Sequence, residues 1–281
     1  MKPAAAAAAS PGMATALWGV DFSSAPSRRK PIVVAHGELS GAVLRLQRLD
    51  ALPTLAGFEA LLAAPGPWLG AFDFPFGLPR EFVESLGLGD AAAEVSAELH
   101  HRCASRMAFR ALIDDWGRGR PPGRRLVHRA TDTAMTGVSS TSPLQTRYVP
   151  VGFMYFEGFS RLLAAGVHLP TLHDGDVGRV ALEAYPGAVA HELIGRRSYK
   201  NSEAADRLIA RKDLVDALEQ GRWRGLRIRL THAQREALVE DAGGDRLDAV
   251  LCLLQAGWAA TRPGYGLPAA VDPVEGWITG A

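Results

Sequence analysis

Five carboxylates stand where an acid could do chemistry: Asp21, Asp73, Glu183, Asp245 and Asp248. The stretch "LGAFDFPFGLPR" sets Asp73 among Phe72, Phe74, Pro75 and Phe76. Burying an unpaired ion costs several kcal/mol, roughly 3 to 5 where a partner is missing, so such an acid is expected to be protonated, paired with an arginine or bound to a metal. Asp21 ends the apolar run "LWGV", where a strand would emerge at its carboxyl edge, and ligands of open α/β sheets gather outside those edges. An acid that merely opens the turn "DFSS" would read the same way.

Asp245 and Asp248 lie three residues apart in "GGDRLDAVLCLLQAGWAA" and so share one face of the helix that starts there. Asp245 as N-cap with Asp248 in the first turn would suit the helix dipole. That explains Asp248 less well, because it directly precedes the apolar run "AVLCLLQAGW" and is placed to face inward. Glu183 alternates with Leu182 and Ala184 in "ALEAYPG", so it either points to solvent or joins the other acids. All these candidates are hard oxygen donors, which favour Mg²⁺ or Mn²⁺ over zinc. The eight histidines show no metal-ligand spacing, and neither a P-loop nor a Gly-rich dinucleotide fingerprint is present.

Positioning these acids falls to a mixed α/β pattern. Short apolar runs near Leu17 to Phe22, Ile32 to Glu38 and Ala42 to Leu49 read as three strands joined by hairpin connections. "TLAGFEALLAA" carries apolar residues at helical spacing with Thr54 as N-cap, and "WLGAFDF" follows as a fourth strand. A right-handed crossover would lay that strand parallel to the first, about 4.8 Å away, with Asp21 and Asp73 side by side. Two carboxylates so placed repel unless a cation lies between them. Helices are expected in "PREFVESLG", in "DAAAEVSAELHHRCASRMAFRALIDDWGRG", which holds one or two, and in "GFMYFEGFSRLLAAG". "GRVALEAYP" reads as a fifth strand, and three more helices, "SEAADRLIARKDLVDALEQ", "THAQREALVED" and the one opening with Asp245, finish the chain. Between them the irregular stretch "RPPGRRLVHRATDTAMTGVSSTSPLQTRYVP" is long enough to be functional or mobile.

Composition narrows the class. With 281 residues and 47% hydrophobic content the chain can fill a core, and a formal charge of +1 is below that of a dedicated nucleic-acid-binding domain, so any phosphate binding must be local. Two cysteines far apart in sequence suggest neither a disulfide framework nor a thiolate metal site and fit a reducing compartment. Met1 to Ala14 is Ala-rich without a secretory block and reads as a disordered extension; no stretch approaches a membrane span, which points to the cytoplasm.

"WGVDFSSAP", "AFDFPFGLP", "LEAYPGAVAHELIG", "SYK" and "GDRLDAVLCLLQAGWAA" together resemble the domain-of-unknown-function 429 family, described as predicted RNase H-like nucleases, over about Leu17 to Ala260. The acid arrangement is similar to that of the Holliday-junction resolvase branch of the superfamily. The resemblance implies one RNase H-like domain over 15–281 with a five-stranded mixed sheet flanked by helices; the helical and loop segment at about 90–150 after strand four has no counterpart in a minimal nuclease domain and reads as an insertion. It implies Asp21, Asp73 and Asp248 as metal-binding acids supported by Asp245 or Glu183, and phosphodiester hydrolysis assisted by two Mg²⁺ or Mn²⁺ ions. Clustered carboxylates permit that chemistry by holding cations about 3.5 to 4 Å apart.

Nucleic acid is the expected partner. Phosphate contacts are expected from Lys200 and Arg207, with Arg211 near them, and from Arg124 and Arg125 in "RGRPPGRRLVHR", although that run reads more readily as a solvated loop in an Arg-biased chain. Two other functions fit parts of the pattern. One is an actin-like ATP-dependent phosphotransferase using "DFSSAPSRRK", which has Ser23 where a Gly is usual; the other is a non-catalytic binding module that kept the acids.

Overall fold

The computed structural model describes residues 15–281; the extension expected over Met1 to Ala14 lies outside the described residues. The hairpin-forming runs become β1 (Ala16–Asp21), β2 (Ile32–Ser40) and β3 (Val43–Leu52), successive antiparallel neighbours. Helix α1 (Leu55–Leu62) starts at Thr54, whose hydroxyl accepts from the Gly57 amide at 3.0 Å, and carries the chain across to β4 (Trp68–Phe72), parallel to β1. The fifth expected strand is present as Asp176–Glu183 and runs parallel to β4.

Among the described residues the sheet nevertheless has seven strands, not five. A two-residue strand, β5 (Val167–His168), precedes and flanks Asp176–Glu183, which is therefore β6, and β7 (Arg227–Arg229) flanks β3 at the far edge. The spatial order is β5-β6-β4-β1-β2-β3-β7. Segments of two and three residues are too short to show an alternating pattern, which is why the edges escape a sequence reading.

Helices cover both faces, so the central strands are almost continuously apolar; every residue of β4 is buried. Alternation sorts the side chains. Trp18 and Val20 pack with α1, with α3 (Ala92–Arg102) and α4 (Arg106–Gly117), which follow the short α2 (Arg80–Leu86), and with α5 (Val151–Ala164). Leu17 packs on the opposite face with α6 (Pro186–Ile194), α7 (Ala205–Glu219), α8 (His232–Glu240) and α9 (Asp245–Ala260). Helix α9 lies directly over β1 because Gly19 has no side chain: a β-carbon there would fall 2.0 Å from the Leu253 nitrogen and 2.1 Å from the Ala249 oxygen.

The 90–150 region supplies α3 and α4 and then two short 3₁₀ turns, Pro122–Arg124 and Thr131–Thr133, before α5. After α9 the chain returns to the sheet: Ile278 bridges Glu183, and the Thr279 amide donates to the Glu183 carbonyl at 2.9 Å. Both cysteines are buried and free. Among the described residues no helix is long and apolar enough to cross a membrane.

Candidate metal centre

Three of the five candidate acids converge. Asp21 follows Leu17 and Gly19 on the α9 face of β1, and Asp73 follows Leu69 and Ala71 on the same face of β4. The Asp73 amide donates to the Val20 carbonyl at 2.9 Å, which continues the parallel pairing and holds the two acids side by side at the carboxyl edge. Asp248 comes down from the first turn of α9. Each residue offers a carboxylate oxygen, and the three oxygens lie within 4.8 Å of one another.

Asp248 is buried and fixed at both oxygens, one accepting from the Tyr199 hydroxyl and the other from the Lys200 ammonium. Lys200 lies against the start of α9. Gly244 permits this: its φ of +82° is the left-handed conformation that glycine adopts without strain, and a β-carbon there would stand 2.6 Å from that of Lys200. In contrast, the Asp21 and Asp73 carboxylates receive no hydrogen bond and no ion pair from the described residues.

The other two acids are engaged elsewhere. Asp245 is not the N-cap; Gly244 holds that position, Asp245 is the first helical residue, and its carboxylate pairs with Lys30 at 3.1 Å. Glu183 sits on β6 at the level of Phe72, but its parity is opposite: Val180 and Leu182 face α9, so Glu183 faces away. There Arg129 grips both of its oxygens at 2.6 and 2.8 Å, and the Phe76 amide donates to it at 2.9 Å. The same guanidinium meets Asp132 at 2.8 Å, Ser140 donates to Asp132 at 2.6 Å, and the whole group is buried. Arg129 and Asp132 were hidden in an Arg-rich stretch; their i, i+3 spacing in "RATD" was the available signal.

Electrostatics follow from this crowding. Burial, then the Asp248, Asp73 and Asp245 charges, hold Asp21 well above the ordinary carboxylate range, with Lys200 working the other way. Burial and Asp248 push Asp73 up to about 7, again against Lys200. Burial disfavours the Lys200 ammonium, but Asp248, Asp73 and Asp21 outweigh it and raise its pKa. Burial raises Glu183 despite Arg129. Without a cation, Asp21 and Asp73 therefore resist ionisation and tend to keep their protons.

Beside the cluster opens a cleft of about 240 Å³ whose lining includes Asp73, Lys200 and Tyr185. Of the other predicted phosphate contacts, Arg207 pairs with Asp206 at 3.6 Å and does not line this cleft. Arg124 is exposed, and Arg125 borders a separate hollow with Asp114 and Tyr148. Arg211 is buried and donates to the Val239, Tyr199 and Ser202 carbonyls, which holds the loop carrying Lys200.

Fold and site together define a mixed α/β protein in which two acids at the sheet edge and one from α9 form a cluster that could hold a metal ion. The family described as Protein of unknown function (DUF429) matches residues 19–272, and the chain belongs to that family. No curated protein and no solved structure matches it.

Proposed function

We propose that this protein is a divalent-metal-dependent phosphodiesterase of the RNase H-like type, acting on nucleic acid. One observation carries the reading: acids from three distant segments bring oxygens within 4.8 Å of one another, and two of them have no hydrogen-bond or ion-pair partner among the described residues. Repulsion of this kind is sustained by a cation. The order β6-β4-β1-β2-β3, parallel through β6, β4 and β1 and antiparallel through β1, β2 and β3, supports the RNase H-like assignment.

The donor set fits Mg²⁺ or Mn²⁺, which prefer carboxylate oxygens. Asp21, Asp73 and Asp248 would hold the metal, which supplies activation of water and stabilisation of the leaving oxygen. Three carboxylates less one lysine leave two negative charges, which a single divalent ion balances; the second ion of a two-ion site then needs the charge of the substrate phosphate. Tyr199 and Lys200 orient Asp248. Asp73 and Lys200 are the members of the cluster that reach the cleft, so they face the substrate.

The test is hydrolysis of branched, duplex and hybrid substrates with Mg²⁺ or Mn²⁺, comparing the wild type with Asp73→Asn. Metal-dependent cleavage that the substitution abolishes supports the reading. Cleavage that survives it unchanged defeats the assignment.

A further inference from the structure

The cleft beside the acids is narrow for a nucleic-acid groove. Its volume of about 240 Å³ exceeds the roughly 150 Å³ that accepts a benzene ring and falls below the roughly 300 to 1,000 Å³ of sites for drug-sized molecules. One aromatic heterocycle fits such a space; a base pair with its backbones does not. Its wall is mostly apolar and partly aromatic, with Phe74, Val149, Val151, Met154, Tyr185 and Ile278, while Ser140, Thr141 and the Arg129–Glu183 pair add polar groups to it. Asp73 and Lys200 belong to the same lining, so a ring seated there is continuous with the acid cluster. Much of this wall comes from outside the sheet: Val149 and Val151 from the loop and first turn of α5, and Ile278 from the returning C-terminal segment.

We propose that the cleft receives a single unpaired nucleobase of the strand whose phosphate lies at Asp73, so that the substrate is single-stranded or locally unpaired nucleic acid and not a continuous duplex. This rests on the phosphodiesterase reading above. The physical basis is that an unpaired base exposes a π face that an apolar and aromatic pocket can cover, and that every base offers such a face, so recognition is sequence-tolerant. Lys200 is placed to meet the adjoining phosphate.

The experiment has two readouts. An end-labelled oligonucleotide is presented single-stranded, fully paired, or paired around one unpaired nucleotide, in Mn²⁺; binding of thymidine 5′-monophosphate is measured separately by calorimetry. Two variants narrow the cleft, Val151→Trp in its wall and Val149→Trp at its rim, where the native side chain is 53% exposed and the fold is not at risk. The wild type is expected to cleave the unpaired forms at least about tenfold faster than the paired one. Each variant should weaken mononucleotide binding about tenfold while leaving the Mn²⁺-induced rise in melting temperature unchanged. Equal cleavage of the fully paired duplex, or mononucleotide binding that is absent or indifferent to both variants, overturns the proposal. If nothing is cleaved but the mononucleotide binds and Val151→Trp removes it, the cleft assignment stands and the hydrolytic reading falls.

Discussion

The Lys200 ammonium is bonded to one carboxylate oxygen of Asp248, in a position where it also acts on Asp73 and Asp21. Lysine is thus a resident counter-ion of the acid cluster, and a divalent cation must share the acids with it. Lys200→Met is expected to lower the stability of the metal-free protein by about 2 kcal/mol. That is less than the roughly 3 to 5 of a fully buried pair, because the lysine side chain keeps 37% exposure and water screens it. The same substitution should enlarge the Mn²⁺-induced rise in melting temperature. Differential scanning calorimetry with and without Mn²⁺ checks both changes.

The protonation of Asp73 sets a pH dependence. Its carboxyl rises from an ordinary 3.8 to about 7 in the folded chain, chiefly through burial and Asp248. Between those values the folded protein binds this proton more tightly than the unfolded chain does, so the stability it contributes is present at low pH and is lost as pH rises through about 7. In EDTA, Asp73→Asn should therefore gain stability relative to wild type between about pH 4 and pH 8, by a few kcal/mol at most. Added Mn²⁺ competes with the proton, so its affinity for wild type should fall on acidification below about pH 7. Urea titrations across that range measure the first effect, and calorimetric titrations the second.

Helix α9 can reach the acids only where the backbone of β1 is bare. Gly19→Ala sets a methyl group 2.0 Å from the Leu253 nitrogen and 2.1 Å from the Ala249 oxygen, and backbone atoms on both elements leave little room to move. The expected cost is about 3 kcal/mol or more, at the upper end of overpacking effects. The urea midpoint should fall with an unchanged slope. A cost below about 0.5 kcal/mol, within the scatter of ordinary surface substitutions, would mean that α9 is not seated on β1 as described.

Arg129 stands between two buried acids. Arg129→Met leaves Glu183 and Asp132 without their cation, at an expected cost of about 3 to 5 kcal/mol. Adding Glu183→Gln should recover part of the loss, because one of the two uncompensated charges is gone. A double-mutant cycle on unfolding free energies reads that coupling.

How far all this is legible in the sequence depends on distance along the chain. The five long strands and most helices follow from local apolar spacing. So does the alternation that puts Asp21 in line with Leu17 and Gly19, and Asp73 in line with Leu69. The same parity, applied to Val180 and Leu182, turns Glu183 away from the cluster, but the sequence leaves its partner unnamed because Arg129 lies 54 residues away in an Arg-rich loop. Asp245 has the right type and spacing for a cap; the left-handed Gly244 takes that place, and Lys30 claims the carboxylate. The edge strands are too short to announce themselves. The segment after α9 holds no periodic pattern, yet it closes the sheet edge at Glu183 and completes the cleft with Ile278.

Calorimetric titration of Mn²⁺ into the metal-free protein tests most directly whether Asp21, Asp73 and Asp248 form a cation site. Wild type should bind saturably, with one ion per chain in the absence of substrate, and Asp73→Asn should bind at least about tenfold more weakly, a loss of about 1.4 kcal/mol or more. No saturable binding by wild type, or equal binding by Asp73→Asn, would contradict it.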